Sequence, residues 1–284
     1  MKIIKFPVRN TWDEIVKRPH LDVSKLNATV ECILKDIREN GDEAVKNYEK
    51  KFDHADLDQL EVTEAEKKEA WNACSKTLLE SLQLAHHNIA KFHEAQKFTG
   101  KKIETAKGVT CWQKSVPIEK VGLYIPGGTA PLFSTVLMLA TPAVIAGCKE
   151  IILCTPPDKT GKVNPAILAA AQIAGVSRVF KAGGVQAIGA MAYGTESIPK
   201  IYKLFGPGNQ YVMAAKQQVS LHDVAIDMPA GPSEVCVIAD QYSNPIFVAA
   251  DLLSQAEHGI DSQVMLITNS ERMLEDIRKE VVVQ

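Results

Sequence analysis

Hydrophobic residues change their spacing along this chain near residue 100. Before that point apolar positions recur at helical intervals among charged ones, and Gly41 is expected to end a first helix over residues 23–40. Thr63 and Glu66 form a capping box that opens a second helix, and a third is predicted from about residue 78 to residues 92–98. The apolar face of the first helix consists of Leu26, Val30, Ile33, Leu34 and Ile37.

After residue 100 short apolar stretches alternate with glycine-rich turns and with helical patterns. Lys107-Gly108 is predicted to turn a hairpin. Strands are then predicted at 121–125, 151–154, 179–182, 201–205, 235–238 and 264–267, and helices at 132–146, 165–174, 185–193, 211–219, 245–257 and from 270 onward. Strands that alternate with helices of this length predict right-handed βαβ units and mostly parallel sheets. The expected fold class is therefore α/β, with an N-terminal helical segment.

Three regions are expected from this order of elements. Residues 1–20 form an N-terminal arm, and residues 121–234 form an α/β domain of nucleotide-binding type. The strands after residue 235 are expected to rejoin the N-terminal helices. Residues 21–120 together with 235–284 are therefore predicted to be the other α/β domain, discontinuous and truncated.

Composition narrows the class of protein. The chain has 284 residues, of which 46% are hydrophobic and 23% charged, with a net charge of −2. These values are typical of a soluble globular protein and offer no basic surface for nucleic acid. No apolar run is long enough to cross a bilayer, and the beginning of the chain lacks a signal peptide. We therefore expect a cytoplasmic protein with no membrane partner.

Four predicted strands end in loops rich in glycine and proline, at 124–128, 183–186, 205–209 and 227–234. Ligands of open α/β sheets bind beyond the carboxyl ends of the strands, and helix N-termini that follow such loops present N–H groups to phosphate. This combination suits a nucleotide with a pyrophosphate, although neither Gly-x-Gly-x-x-Gly nor a Walker sequence is present. Tyr124 is a candidate for stacking on a base or ribose, and Gln186 and Asn209 for hydrogen bonds to ribose or nicotinamide. Each is equally compatible with a role as an ordinary turn residue.

Ser233 lies in a tight turn, Gly231-Pro232-Ser233-Glu234, that precedes a predicted strand. A nucleophile elbow has glycine on both sides of the serine, a strand before it and a helix after it. The order here is reversed. Ser233 is therefore interpreted as a residue that hydrogen-bonds substrate rather than as an acyl-transfer nucleophile.

Gln255 and His258 are three residues apart, on one face of a predicted helix that Gly259 would end. A carboxamide oxygen and an imidazole nitrogen side by side make half of a metal site, because zinc takes four ligands or three with an open position. The alternative is a helix C-terminus at which the histidine favours the helix dipole.

Five stretches together resemble the histidinol dehydrogenase family. They are VGLYIPGG at 121–128, FSTVLM at 133–138, FGPGN at 205–209, DMPAGPSE at 227–234 and DLLSQAEHG at 251–259. The resemblance covers the chain from about residue 20 onward. It implies two Rossmann-like domains of incomplete, aldehyde-dehydrogenase-like architecture.

The resemblance also implies an activity and a set of site residues. The family oxidises L-histidinol to L-histidine through an aldehyde, with NAD and zinc, in the last steps of histidine biosynthesis. By motif, Tyr124, Gln186 and Asn209 resemble NAD-contacting positions, and Ser233 resembles a substrate-binding position. Gln255 and His258 resemble zinc ligands that also face the substrate.

The chain stops at Gln284, inside a predicted helix, whereas members of the family continue beyond that point. The catalytic Glu-His pair, the remaining zinc ligands and the segments that form the family homodimer are expected in the part beyond Gln284. No catalytic residue is therefore assigned within this chain.

Two other interpretations stay open. One is a paralogue that oxidises a different amino or sulfonated alcohol with the same zinc and NAD machinery. The other is a non-catalytic, nucleotide-binding or regulatory module, which the absence of the expected base favours. The retained pair Gln255 and His258 favours a catalytic parent, because a protein that only binds a nucleotide has no use for half a metal site.

With two of four zinc ligands present, the 284-residue chain is expected to bind zinc weakly and not to turn over histidinol. Metal analysis after dialysis against a chelator and an assay of NADH formation test this expectation. Stoichiometric, chelator-resistant zinc together with NADH production by this chain would refute it.

Overall fold

The computed structural model describes residues 2–17, 23–127, 131–228, 233–257 and 262–284. The helices are α1 Trp12–Ile15, α2 Val23–Tyr48, α3 Glu64–Ala73, α4 Lys76–Glu94, α5 Phe133–Ala146, α6 Pro165–Ala174, α7 Gly184–Tyr193, α8 Gln210–Ser220, α9 Pro245–Ala256 and α10 Glu271–Val283. The strands are β1 Ile103–Ala106, β2 Val109–Cys111, β3 Lys120–Tyr124, β4 Glu150–Thr155, β5 Arg178–Lys181, β6 Lys203–Phe205, β7 Ala225–Ile226, β8 Glu234–Ala239 and β9 Gln263–Thr268.

A parallel sheet of five strands, in the order β5-β4-β3-β6-β7, organises the larger part of the chain. The chain fills one half of the sheet from β3 to β5, then crosses back and fills the other half with β6 and β7. Helices connect successive strands, which makes the sheet doubly wound with its switch point between β3 and β6. The predicted α/β fold class with a mostly parallel sheet is confirmed.

Both faces of this sheet are buried, and neighbouring residues of each strand belong to different clusters. Ile152 packs in a cluster with residues of α2, α7 and α8. Ile151 and Leu153 pack in another with residues of α5 and α6. This alternation follows from the period of two in a strand. Burial on both faces explains why β4 is apolar along nearly its whole length.

Helix α2 consists of two helical segments, and the kink between them lies at Gly41. Gly41 has φ +52° and ψ −130°, and helical structure resumes after it to Tyr48. The Asp42 N–H donates to Glu196 Oε2 at 2.8 Å, so a carboxylate caps the second half of the helix. The prediction that Gly41 ends the first helical segment is confirmed, and a second segment, capped by the distant Glu196, follows it directly.

Residues 60–66 protect the edge of the sheet beside β5. The Val62 N–H donates to Val179 O at 2.9 Å, and the Lys181 N–H donates to Leu60 O at 2.7 Å. These bonds satisfy backbone groups that an open edge would leave exposed.

The predicted capping box at the start of α3 is confirmed. The Glu66 N–H donates to Thr63 Oγ1 at 3.2 Å, and the Thr63 N–H donates to Glu66 Oε2 at 2.8 Å. Glu66 also forms an ion pair with the largely buried Lys181 of β5 at 2.5 Å. The cap therefore attaches α3 to the sheet.

The smaller part of the chain contains a single βαβ connection. Strands β8 and β9 are parallel neighbours, with Glu234 opposite Gln263 at one end and Ala239 opposite Thr268 at the other. Helix α9 connects them and packs against α10. Their shared core consists of Ala239, Val248, Ala249, Leu252, Met273 and Ile277.

Packing groups the chain into Ser24–Pro229 and, separately, Met1–Val23 with Ala230–Gln284. The expected regions were drawn differently, since they joined 21–120 to 235–284. In the structure α3 and α4 pack on α5 and α6 instead. These N-terminal helices thus form a further layer on α5 and α6 within the larger unit. In the arm, Lys5 forms an ion pair with Glu271 of α10.

Every strand and helix predicted after residue 100 is present, with shifts of about one or two residues at the ends. The hairpin turn at Lys107-Gly108 is also confirmed, with β1 and β2 antiparallel around it. In the described ranges, no helix combines the length and the apolar character needed to span a membrane.

Replacement of Gly206 by alanine is expected to destabilise the larger unit by about 3 kcal/mol or more. Gly206 has φ +137°, and a Cβ there would lie 2.1 Å from the Tyr124 carbonyl oxygen. The matched control is Gly108→Ala, because Gly108 has φ +79° but a Cβ added there would meet no atom within 4 Å. That control carries backbone strain alone, about 1 kcal/mol. Chemical denaturation of both variants tests the difference, and equal losses would contradict it.

Candidate nucleotide cavity and metal-ligand helix

A cavity of about 1070 Å³ lies at the carboxyl ends of strands β3 to β6. Its walls include residues that directly follow each of these four strands, in agreement with the position of ligand sites in doubly wound sheets. Tyr124, Gln186 and Asn209, the three predicted nucleotide contacts, all line it. The structure therefore brings together residues that are far apart in the sequence.

Tyr124 contributes less surface than a stacking role needs. Its side chain is 3% exposed, and its hydroxyl accepts a hydrogen bond from the Gly184 N–H at 3.1 Å. Burial raises the pKa of the Tyr124 hydroxyl, so the group stays neutral. The proposed stacking on a base or ribose stays a prediction, whereas the hydroxyl has a defined partner at the start of α7.

Gln186 is held by a buried carboxyl group. Its Nε2 donates to Glu49 Oε1 at 2.7 Å, and the same oxygen accepts from the Gly183 N–H at 2.7 Å. Gln186 is 1% exposed and Glu49 is fully buried. Among the described residues no donor reaches Gln186 Oε1 or Glu49 Oε2. The amide of Gln186 thus keeps an acceptor oxygen without a protein partner.

Burial raises the pKa of Glu49 to about 8, against the two hydrogen bonds from Gly183 and Gln186 that favour its charged form. The neighbouring carboxylate of Asp53 raises the pKa of Glu49 further. Burial also raises the pKa of Asp53, which lies at the cavity wall. At neutral pH Glu49 is therefore the protonated member of the pair.

The loop 205–209 is fixed by a buried lysine on α8. Lys216, 5% exposed, donates from Nζ to Gly206 O at 2.7 Å and forms an ion pair with Asp227. The other carboxylate oxygen of Asp227 accepts from the Gly206 N–H at 2.8 Å. Both polar groups of the Gly206 backbone are satisfied in this way. Asn209 follows and caps α8 by accepting from the Tyr211 and Val212 N–H groups at 3.0 and 3.1 Å.

These contacts bear on the prediction that the helix N-termini bind phosphate. The first amides of α7 donate to Glu49 and Tyr124, and those of α8 donate to the Asn209 side chain. Such amides are already paired within the protein. Of the four helices that follow β3 to β6, α6 and α8 are capped by the side chain of their N-cap residue, whereas α5 and α7 are not.

The remaining candidates lie in the smaller unit, near the amino ends of β8 and β9. Ser233 is exposed and directly precedes β8. Gln255 lies in the last turn of α9 and donates from Nε2 to Ser262 Oγ at 3.3 Å, next to the start of β9. Since Glu234 pairs with Gln263, Ser233 and Gln255 belong to the same end of this strand pair. His258 lies outside the described residues, and α9 ends before it, at Ala256.

The hydrogen bond that Gln255 forms is compatible with cation binding by its side chain. Its amide nitrogen is the group that donates to Ser262, which leaves the carbonyl oxygen as the free ligand atom. No cluster of three or more His, Cys, Asp or Glu side chains with metal-binding geometry occurs within the described ranges.

Comparison with known proteins identifies the family. The family model described as histidinol dehydrogenase matches residues 16–284. The chain belongs to the histidinol dehydrogenase family. A histidinol dehydrogenase of Bacteroides fragilis is 66% identical over 281 residues, which are 99% of this chain and 66% of that protein. A crystal structure of histidinol dehydrogenase from Elizabethkingia anophelis superimposes with a TM-score of 0.91 at 53% identity, over 98% of this chain and 64% of that one.

The resemblance to the histidinol dehydrogenase family, which the five sequence stretches indicated, is therefore confirmed. The chain spans 66% of the length of the Bacteroides fragilis histidinol dehydrogenase. A histidinol dehydrogenase of Xylella fastidiosa is 51% identical over the whole chain, which corresponds to 67% of its own length.

Sequence reasoning missed Glu49, Asp53 and Lys216 of this histidinol dehydrogenase family member. Glu49 and Asp53 lie in a charged run that looks like a solvated helix end. Lys216 interrupts the apolar positions of α8, and this was the only signal in the sequence for it. Asp227 lies in the stretch DMPAGPSE at 227–234, but the sequence alone indicated no role for it.

The stability of the chain is expected to fall as pH rises from about 4.5 to about 8, because Glu49 binds its proton more tightly in the folded state. This contribution is complete below the ordinary pKa of glutamic acid and is lost as pH rises through the raised folded-state pKa. Glu49→Gln should abolish that part of the slope, at most about 1.4 kcal/mol per pH unit. Urea denaturation at a series of pH values compares the two proteins, and parallel curves would disprove the assignment.

Proposed function

We propose that this protein serves the NAD-linked, zinc-dependent oxidation of L-histidinol to L-histidine through histidinaldehyde, the last steps of histidine biosynthesis. Membership in the histidinol dehydrogenase family supports the reaction class. The observation that carries the nucleotide part is the convergence of Tyr124, Gln186 and Asn209 on one cavity at the switch point of the sheet. A cytoplasmic location and a homodimer belong to the same proposal.

The cavity suits the nicotinamide half of a dinucleotide. Gln186 lines the cavity, and its buried amide oxygen has no partner among the described residues; a local adjustment of the wall would let it accept a hydrogen bond from a carboxamide or a ribose hydroxyl. Glu49 fixes the amide so that this oxygen, not the nitrogen, is free. The protein thus supplies orientation, while the hydride chemistry belongs to the cofactor.

The substrate would bind through the smaller unit. Gln255 and His258 would hold zinc through a carboxamide oxygen and an imidazole nitrogen, and Ser233 would hydrogen-bond the substrate. Zinc, when bound, supplies a Lewis acid that orients an amino alcohol. Ser233 is exposed and therefore accessible to a ligand. No residue of this chain is assigned as the base that removes the hydroxyl proton.

Replacement of His258 by asparagine is expected to lower histidinol-dependent NADH formation at least about 100-fold and to lower bound zinc in parallel, because a ligand atom is lost. The assay uses the protein expressed from its natural gene, with absorbance of NADH and metal analysis as readouts. The matched control is His222→Asn, which changes an exposed histidine of the larger unit.

A wild-type protein that ignores histidinol but oxidises another amino alcohol would contradict the substrate assignment. Unchanged zinc content and turnover in His258→Asn would contradict the ligand assignment.

A further inference from the structure

The carboxyl groups of Glu49 and Asp53 meet at the Gly183 backbone. Glu49 Oε1 accepts from the Gly183 N–H, and a Cβ on Gly183 would lie 3.3 Å from Asp53 Oδ2. The same Cβ would lie 2.7 Å from Pro156 Cβ. A side chain at position 183 would therefore clash, and glycine lets both carboxyl groups approach this backbone. The two acids are thus brought together at the first turn of α7, beside the cavity.

An unusual backbone places both acids there. Residues Glu49–Asp53 form a π-helical turn at the end of α2, and His54 follows with φ +59° in the left-handed region. π-Turns occur frequently at functional sites, and a left-handed non-glycine residue costs about 1 kcal/mol. The turn therefore has a local conformational free-energy cost, which the contacts of the surrounding structure offset.

The hydrogen bonds around Glu49 leave one place for a proton. Oε1 already accepts two hydrogen bonds, from Gly183 and Gln186. No described donor reaches Oε2, which is buried. A proton on Oε2 would turn it into a donor, and the side chain that interacts with Glu49 as a hydrogen-bond partner is Asp53. Two ionised carboxylates in this position would repel each other in a poorly solvated site.

We propose that Glu49 and Asp53 share one proton and act together as a positioning pair, which orients Gln186 and the first amide of α7 for nucleotide binding. This inference rests on the proposed function, because it takes NAD as the ligand of the cavity. Loss of the shared proton adds a negative charge beside a site for an anionic dinucleotide and forces the two carboxyl groups apart. Nucleotide affinity should then fall at alkaline pH.

Within the described part of the chain, the ionisable groups that interact electrostatically with the pair are His54, Tyr124 and Cys154. His54 lies next to Asp53, and the charge of Glu49 is felt by Tyr124 of β3 and Cys154 of β4. Burial raises the pKa of both the Tyr124 hydroxyl and the Cys154 thiol, so both stay neutral while the pair titrates. His54 is the basic member of the group. It adjoins Asp53 rather than Glu49, which agrees with Asp53 as the ionised partner.

Calorimetric titration of the 284-residue chain with NAD, at a series of pH values, tests the proposal. Wild-type affinity should fall about tenfold between about pH 7 and about pH 9. Glu49→Gln should keep the neutral-pH affinity, because glutamine accepts and donates like the protonated acid, and should lose the alkaline fall. Asp53→Asn should also lose it, since an amide removes the second charge. Glu49→Ala should weaken binding about tenfold or more at every pH, since Gln186 loses its anchor.

The matched control is Glu39→Gln, which removes one charge from an exposed position of α2 and should leave the wild-type pH profile. A wild-type profile in Glu49→Gln, or unchanged affinity in Glu49→Ala, would overturn the proposal.

A second readout separates this proposal from the proposed function. Carbon-13 NMR of labelled Glu and Asp carboxyl groups follows the titration of the pair in the absence of nucleotide. Spectra of the variants assign the two signals. Independent titration of Glu49 and Asp53 at ordinary values would overturn the shared proton. If wild type binds no NAD while the pair titrates together, the proposed function fails for this cavity and the positioning role toward NAD fails with it, but the proton-sharing pair is upheld.

Discussion

Tyr124 connects three of the loops on which the cavity depends. Its carbonyl oxygen faces the Gly206 backbone so closely that no side chain fits between them. Its hydroxyl reaches across the sheet to the Gly184 N–H at the start of α7. Its ring packs in the cluster that α7 and α8 share with the sheet. Because β3 lies in the middle of the sheet, this one residue sets the positions of loops on both sides of the switch point.

Several backbone groups of the loops around this residue have partners within the protein. Lys216 and Asp227 bind both sides of the Gly206 peptide, and Glu49 binds the Gly183 N–H. Buried backbone groups of tight glycine loops need such partners when no ligand is bound. The loops are therefore preorganised by contacts within the protein.

Local pattern predicted most of the fold. The alternation of apolar strands with helices after residue 100 was enough for β3 to β6, β8 and β9, since each element carries its own period and its own caps, such as Asn164 before α6. The two-residue strand β7 was not predicted. The second helical segment after Gly41 was not predictable in this way, because its N-terminal cap is Glu196, more than 150 residues away. The same limit applies to the grouping of the N-terminal helices, whose apolar faces show that they pack but not on what.

The candidate site likewise contains some residues that the local sequence predicts and others that it does not. Tyr124, Gln186 and Asn209 followed from strand-end loops and from motif, and their common cavity agrees with that reasoning. Glu49 did not follow, because a glutamate between Tyr48 and Lys50 gives no local sign of full burial. Burial of an acid is a property of the packed molecule, decided here by the turn at 49–53 and by the donors of Gly183 and Gln186.

The two interpretations of the Gln255 and His258 segment share one physical basis. Gln255 lies in the last turn of α9, where unpaired carbonyl groups give the helix end a partial negative charge. That field favours a protonated histidine by about 0.3–1 kcal/mol, and it favours a divalent cation at the same place for the same reason. A helix C-terminus that stabilises positive charge is thus a suitable position for a carboxamide ligand. The bond from Gln255 Nε2 to Ser262 engages the amide nitrogen and leaves the carbonyl oxygen out of that contact.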